Sequence, residues 1–220
     1  MFARSVTISG TVPSTIDRGI DQGTDRGIDR GVDRAIAFVR DDAMPELTRL
    51  GCVGMSLVVD RTSQRLITTS AWETREALDA TRAAMAPYRA EAAALMGGEV
   101  SIEDWEVAMM HRDHDAFALA ACRITWARTS DVEALLHWYR TMTLPSISEA
   151  TGFCSVSMFV DRERGTVCGT TTFDSLATMV ASRARAEANR LRMAEFVDVD
   201  YTAVGEFELV VARLHLPELV

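Results

Sequence analysis

The pentapeptide His111-Arg112-Asp113-His114-Asp115 brings two imidazoles and two carboxylates together, the residue types that bind zinc or iron. A metal centre needs ligands converging from a rigid frame, and this stretch reads as a short polar linker, so no metal site is expected there. Its first three residues also imitate the catalytic triplet of protein kinases, but no glycine-rich loop, strand lysine or Asp-Phe-Gly accompanies them. Glu103, Asp104 and Glu106, with Glu206 and Glu208, offer paired carboxylates for acid–base work. On strands of alternating polarity they read as a solvated face. His137 borders an apolar helix face and reads as an exposed helical histidine. The chain has no lysine, which removes Schiff-base chemistry, pyridoxal phosphate anchoring and the phosphate-loop lysine in one step. No serine sits in a nucleophile elbow, no glycine pattern follows a strand as a dinucleotide fingerprint, and no thiol has a matched histidine.

The bulk properties narrow the partners. A formal net charge of −9 argues against a nucleic-acid surface, because that affinity rests on cationic neutralisation of phosphates. Apolar residues make up 48% of the 220, the balance of a globule with a real core. The N-terminus carries Arg4 and then alternates without an apolar signal region, and no stretch approaches the length of a membrane span. A cytoplasmic protein without a membrane partner is the expectation. Cys52, Cys122, Cys154 and Cys168 fall in predicted strands, none in a C-x-x-C pair, and read as small buried hydrophobes.

The elements that position these residues come twice. Gly51-Cys52-Val53-Gly54-Met55-Ser56-Leu57-Val58-Val59-Asp60-Arg61 is answered by Gly152-Phe153-Cys154-Ser155-Val156-Ser157-Met158-Phe159-Val160-Asp161-Arg162. Asp104-Trp105-Glu106-Val107 is answered by Glu206-Phe207-Glu208-Leu209 after a one-residue slip. Duplication on this scale implies two copies of one small domain, residues 1–111 and 112–220. Each half reads strand, helix, strand, strand, helix, strand. The first has a strand over Phe2–Gly10, a helix ending near Pro45, a hairpin of Gly51–Asp60 and Arg65–Trp72, a helix over Thr74–Met96 and a strand over Val100–Met110. In the second the strands are Phe117–Ala127, Phe153–Asp161, Thr166–Phe173 and Thr202–His215. Its first helix has Ser130 as cap, Glu133 reaching back and Pro145 as stop. Its second helix covers Ser175–Met193. Trp105 and Trp126 read as core, and Trp138 as an extension of a helix face.

The halves differ mainly over residues 16–35, where Ile16-Asp17-Arg18-Gly19 recurs in four further variants. A period of four keeps apolar positions near one stripe, but sixteen residues turn a helix by four turns plus about 160°, so the phase is lost. A glycine every fourth residue costs roughly 1 kcal/mol each relative to alanine. A frayed, projecting or partly disordered helix is expected. The aspartates lack the dense oxygen ligation of a calcium loop.

The βαββαβ order gives a four-stranded antiparallel sheet with two helices on one face. Together with Trp72-Glu73-Thr74-Arg75-Glu76-Ala77-Leu78 at the junction of third strand and helix, and a degraded second copy at Phe173-Asp174-Ser175, it resembles the antibiotic biosynthesis monooxygenase-like domains of the dimeric α+β barrel superfamily. The likeness covers nearly the whole chain, once per half, in the tandem form of actinobacterial members. It implies an α+β fold, two ferredoxin-like domains packed sheet-to-sheet as an intramolecular barrel, a pseudo-dimer able to pair again as a homodimer. It also implies a pocket between sheet and helices, with Trp72 and Phe173 as pocket aromatics and Thr81, Tyr139 and Ser182 as hydrogen-bonding groups for a small aromatic ligand. From its own position Trp72 reads also as a strand-end aromatic sealing the helix–sheet joint. Haem-degrading members use a histidine on the second helix, where this chain has Thr81 or Arg82 and Ser182 or Arg183, and an asparagine on the first strand, where it has none. Those members also use a tryptophan near the junction, and only that residue survives here, as Trp72, so haem is disfavoured and no cofactor is expected. Two functions follow: a cofactor-independent monooxygenase-like oxidoreductase acting on an aromatic or quinol compound, or a non-catalytic ligand-binding or structural protein. The better-kept junction of the first half points to it as the active copy.

Overall fold

A computed structural model describes residues 1–10, 22–116, 119–214 and 218–219. Its strands are β1 (Phe2–Ser9), β2 (Gly54–Asp60), β3 (Arg65–Trp72), β4 (Glu99–Arg112), β5 (Ala121–Arg128), β6 (Phe153–Asp161), β7 (Thr166–Phe173) and β8 (Asp200–Leu214). Its helices are α1 (Gln22–Phe38), α2 (Met44–Arg49), α3 (Arg75–Ala84), α4 (Ala86–Met96), α5 (Val132–Trp138), α6 (Leu144–Ser148), α7 (Leu176–Ala181) and α8 (Arg183–Phe196). The fold is mixed α+β with antiparallel strand pairing. Two compact units divide it: Met1–Asp104 with the end of β8 from Val211, and Trp105–Val210 with the described C-terminal residues. No helix among the described residues is long and apolar enough to cross a membrane.

In the first unit the strand order is β4–β1–β3–β2. β1 lies against β3 from Phe2↔Trp72 to Ser9↔Arg65, and β2 takes the other edge of β3. On α1 and the residue that follows it, Val32, Ala35, Ile36 and Val39 are buried, the i, i+3, i+4, i+7 stripe of an amphipathic helix. Gly31 serves that packing, because a Cβ there would lie 3.0 Å from the Leu95 carbonyl oxygen of α4. The tetrapeptide run is thus helical from Gln22 onward, while its first members lie outside the described residues.

The second unit has the order β8–β5–β7–β6. Leu135, Leu136, Val156, Val160, Val167 and Met179 form the centre of its core. The β6–β7 turn is fixed by Asp161, whose Oδ1 accepts from the Glu163 and Arg164 amides at 3.1 Å each. Gly165 completes it at φ +63°, where a side chain would also strike the Thr129 carbonyl.

Several boundaries differ from the sequence reading, each for a local reason. Asp131, not Ser130, caps α5 by accepting from the Ala134 amide, while the Ser130 hydroxyl donates to Asp198. Pro45 and Pro145 do not stop their helices. Proline has no N–H for the carbonyl four residues back. The backbone opens into π-helical segments just before each, Val39–Ala43 and Tyr139–Thr143, and then continues as α2 and α6. The helix expected over 175–193 breaks at Ser182 into α7 and α8, and its counterpart over 74–96 breaks at Met85 into α3 and α4.

Candidate functional site

Each unit buries an arginine at the third position of its first strand. In the first unit Arg4 forks onto Asp104, with Nε–Oδ1 at 2.6 Å and Nη2–Oδ2 at 3.0 Å, while Nη1 donates to the Leu78 carbonyl and the Thr81 hydroxyl. In the second Arg123 donates from Nε and Nη2 to Glu206 Oε1 at 3.2 and 2.9 Å, from Nη1 to Ser182 Oγ at 2.9 Å and from Nη2 to the Met179 carbonyl at 2.7 Å. A charge this deep is tolerable only when paired and fully hydrogen-bonded, which the carboxylate, hydroxyl and helix carbonyl accomplish together. Outer arginines complete the networks: Arg82 reaches Asp104, and Arg183 reaches Glu206.

The carboxylates titrate accordingly. Burial pushes Asp104 upward, but Arg4, Arg82 and Arg75 outweigh it and hold the group below its usual range. The hydrogen bonds from Arg183 lower Glu206 against partial burial, and Arg123 adds to the lowering. Asp104 and Glu206 are therefore ion-pair partners rather than members of a solvated face, which corrects the sequence reading. Glu106 does sit toward solvent, paired with Arg162.

Thr81 and Ser182 owe their places to these arginines. Each hydroxyl accepts from the guanidinium and donates to a carbonyl of its own helix, Leu78 or Met179, at 2.7 Å. Both side chains border a cavity, yet their hydrogen-bonding capacity is largely committed. Trp72 is fully buried, lines neither cavity and donates from Nε1 to Ser70 Oγ at 3.2 Å. Of the two readings of this ring, pocket aromatic or seal of the helix–sheet joint, its burial matches the second, and it supports a residue of the cavity wall.

The cavities are unequal. The first unit has one of about 50 Å³, with Arg4, Ser70, Thr81, Tyr88 and Arg89 as its polar wall. The second has one of about 80 Å³, although the sequence asymmetry pointed to the first half. Its apolar wall comes from Leu135, Ile147, Met158, Val167, Phe173 and Met193, and its polar groups include Arg123, Tyr139, Thr171, Asn189 and Tyr201. Phe173, Tyr139 and Ser182 thus meet in one place, with the Arg123 guanidinium carbon 6.0 Å from the centre of the Phe173 ring. The π-helical segment delivers Tyr139 and Thr143 to this wall.

Asn189 is the chain's single asparagine, and its Nδ2 is buried without a hydrogen-bond partner. Orphaned buried donors are rare and costly, and among the described residues Trp105 Nε1 and Arg140 Nε share this state. Burial pushes the Tyr139 phenol well above its ordinary range despite its bond to Thr171, and pushes Tyr201 up to about 12. Both are neutral donors at physiological pH. No carboxylate and no histidine stands among the lining residues. The sequence reading missed Arg4, Arg123 and Asn189. The legible signal was an arginine inside each first strand, Arg4 and Arg123, with several acids in each closing strand.

No family model matches the chain. It is 43% identical over 191 residues to the Mycobacterium tuberculosis "Uncharacterized protein Rv2558", covering 84% of this chain and 80% of that one. It is also 43% identical over 191 residues to "Uncharacterized protein Rv2557" of the same organism, covering 84% of each. Among solved structures it is similar to an anthrone oxidase-like protein, with TM-score 0.59 and 13% identity over 100% of this chain and 94% of the other. A Listeria monocytogenes ferredoxin-fold protein related to antibiotic biosynthesis monooxygenases gives TM-score 0.50 and 9% identity, covering 96% of both chains. A monooxygenase-like protein from Listeria innocua gives TM-score 0.50 and 10% identity, covering 94% and 93%. The monooxygenase-like resemblance read from the sequence is borne out at the level of the fold.

Proposed function

We propose, for a chain that belongs to the family of the Mycobacterium tuberculosis proteins Rv2557 and Rv2558, that the second unit's cavity binds a small aromatic or quinol-type compound and oxidises it without a resident cofactor. The observation that carries this is Asn189, whose Nδ2 lacks a partner, in the wall of a cavity that combines an apolar face with a few polar groups. An apolar site with a few convergent polar groups is the usual form of a small-molecule pocket. Phe173 offers a ring face, Asn189 a donor for a carbonyl or phenol oxygen, and Tyr139 and Tyr201 neutral hydroxyls. The likeness to an anthrone oxidase-like protein supports this choice of compound class.

Such oxidation asks little of the protein. A ring-activated CH₂ loses a proton, the carbanion passes electrons to dioxygen, and water leaves the resulting hydroperoxide to give a carbonyl. One dioxygen is consumed and one water released for each CH₂ converted. With no carboxylate or imidazole in the wall, proton loss rests on the compound's own acidity. The same lack of a base favours a second reading, binding without turnover.

The arrangement also supports a tandem duplication with domains at 1–111 and 112–220, since both units place the arginine, the hydroxyl and the acid at matching positions. The test is calorimetric titration with anthrone-type and quinol compounds alongside an oxygen electrode. Binding with uptake above buffer, reduced in Asn189→Ala, supports the oxidase reading. Binding without uptake establishes the second reading, and no binding sinks both.

A further inference from the structure

His114, Cys154 and Asp174 are far apart in sequence and come together in the second unit, with one ligand atom from each lying within 4.8 Å of the others. Cys154 Sγ is 3.3 Å from Asp174 Oδ1, and His114 Nε2 is 3.8 Å from the same oxygen. Ligands on a tetrahedral zinc at roughly 2.0–2.3 Å stand about 3.3–3.8 Å from one another, so two of the three separations already fit. From this geometry we propose that His114, Cys154 and Asp174 form a zinc site with three protein ligands and an exchangeable fourth position.

The site has the rigid frame that the linker seemed to lack. The Asp113 and His114 amides both donate to the Cys154 carbonyl, at 2.8 and 3.3 Å, which pins the histidine beside the start of β6. The Asp174 amide donates to the Gly152 carbonyl at 2.8 Å, holding the carboxylate on the same edge. Pairing of β6 with β7 slips between Phe153 and Ser155, so Cys154 occupies a bulge, a device that re-aims a side chain.

The second layer suits a metal too. His114 Nδ1 lies 3.1 Å from the Asp115 carbonyl oxygen, the contact that keeps a proton on Nδ1 and leaves the Nε2 lone pair for a ligand role. The donor set of one sulfur, one imidazole nitrogen and one carboxylate oxygen matches zinc better than magnesium or calcium. A thiolate and a carboxylate neutralise the dication, and Asp113 adds a further negative charge acting on both Cys154 and His114. The first unit has Val53 and Glu73 at the matching positions, so it lacks the thiol.

The experiment is titration of the purified full chain with Co²⁺ as a spectroscopic substitute for Zn²⁺. The expected result is saturation at one equivalent, with tetrahedral visible bands and a thiolate-to-cobalt charge-transfer band that Zn²⁺ erases. His114→Ala, at a partly exposed residue, and Asp174→Asn should each weaken binding at least about tenfold. Cys154→Ser should abolish the charge-transfer band while Cys52→Ser leaves it intact, with circular dichroism confirming the fold of each variant. No saturable charge-transfer band in the wild type overturns the proposal, as does a band that survives undiminished in His114→Ala or Cys154→Ser.

Discussion

Arg123 Nη1 donates to Ser182 Oγ across 2.9 Å, and that hydroxyl in turn donates to the Met179 carbonyl at 2.7 Å. The pair locks the first strand of the second unit to the break between α7 and α8. It also explains why a polar residue survives at a buried helix position. Ser182→Ala removes one partner of a buried guanidinium, and a cost of about 1–3 kcal/mol is expected, read by urea denaturation.

The ion pair behind it gives a sharper test. Arg123→Met leaves Glu206 with Arg183 alone, and should destabilise by about 2–4 kcal/mol, toward the low end for breaking a buried pair because Arg183 remains. The double variant Arg123→Met/Glu206→Met replaces both charges with apolar volume and should recover much of that loss. A double-mutant cycle in urea reads the coupling. Independent, additive losses would remove the pair from the account of this core.

Asn189 is predicted to work against stability and in favour of binding. Its Nδ2 is buried without a partner, so Asn189→Leu should raise the urea midpoint, by up to about 1 kcal/mol in stability, while filling part of the cavity. The same change should weaken binding of a phenolic ligand by about tenfold, the equivalent of about 1.4 kcal/mol. Loss of stability without loss of affinity would mean that the side chain serves the fold.

The scaffold was legible because its signals are local. The hairpin strand Arg65–Trp72 repeats its sequence-read bounds, and its partner keeps its end at Asp60, since apolar alternation and a tight turn depend on neighbours only. The site was less legible because its contacts are long-range. Arg4 meets Asp104 across 100 positions, and His114, Cys154 and Asp174 meet through strand pairing that no spacing rule encodes. Trp72 stayed open between two roles for a related reason: a strand-end aromatic looks the same in sequence whether it seals a core or faces a ligand. Likewise Pro145 is a helix stop in sequence terms, but here the π-helical segment absorbs it and carries Tyr139 to the cavity.

The two cavity tyrosines make the alkaline limit of stability predictable. Burial raises Tyr139 and Tyr201 above the ordinary phenol value, Tyr201 to about 12. A raised folded-state value means that the folded chain holds the proton more tightly than the unfolded chain. Their contribution is therefore fully present below the unfolded value of about 10 and is lost as pH rises through the folded value. For Tyr201 the window runs from about 10 to about 12. Stability measured by urea denaturation should fall with pH across that window, and Tyr139→Phe/Tyr201→Phe should flatten the fall. Ultraviolet absorbance should in parallel show phenolate from these residues appearing late, together with unfolding. A double variant that loses stability as steeply as the wild type would place the alkaline transition in other groups.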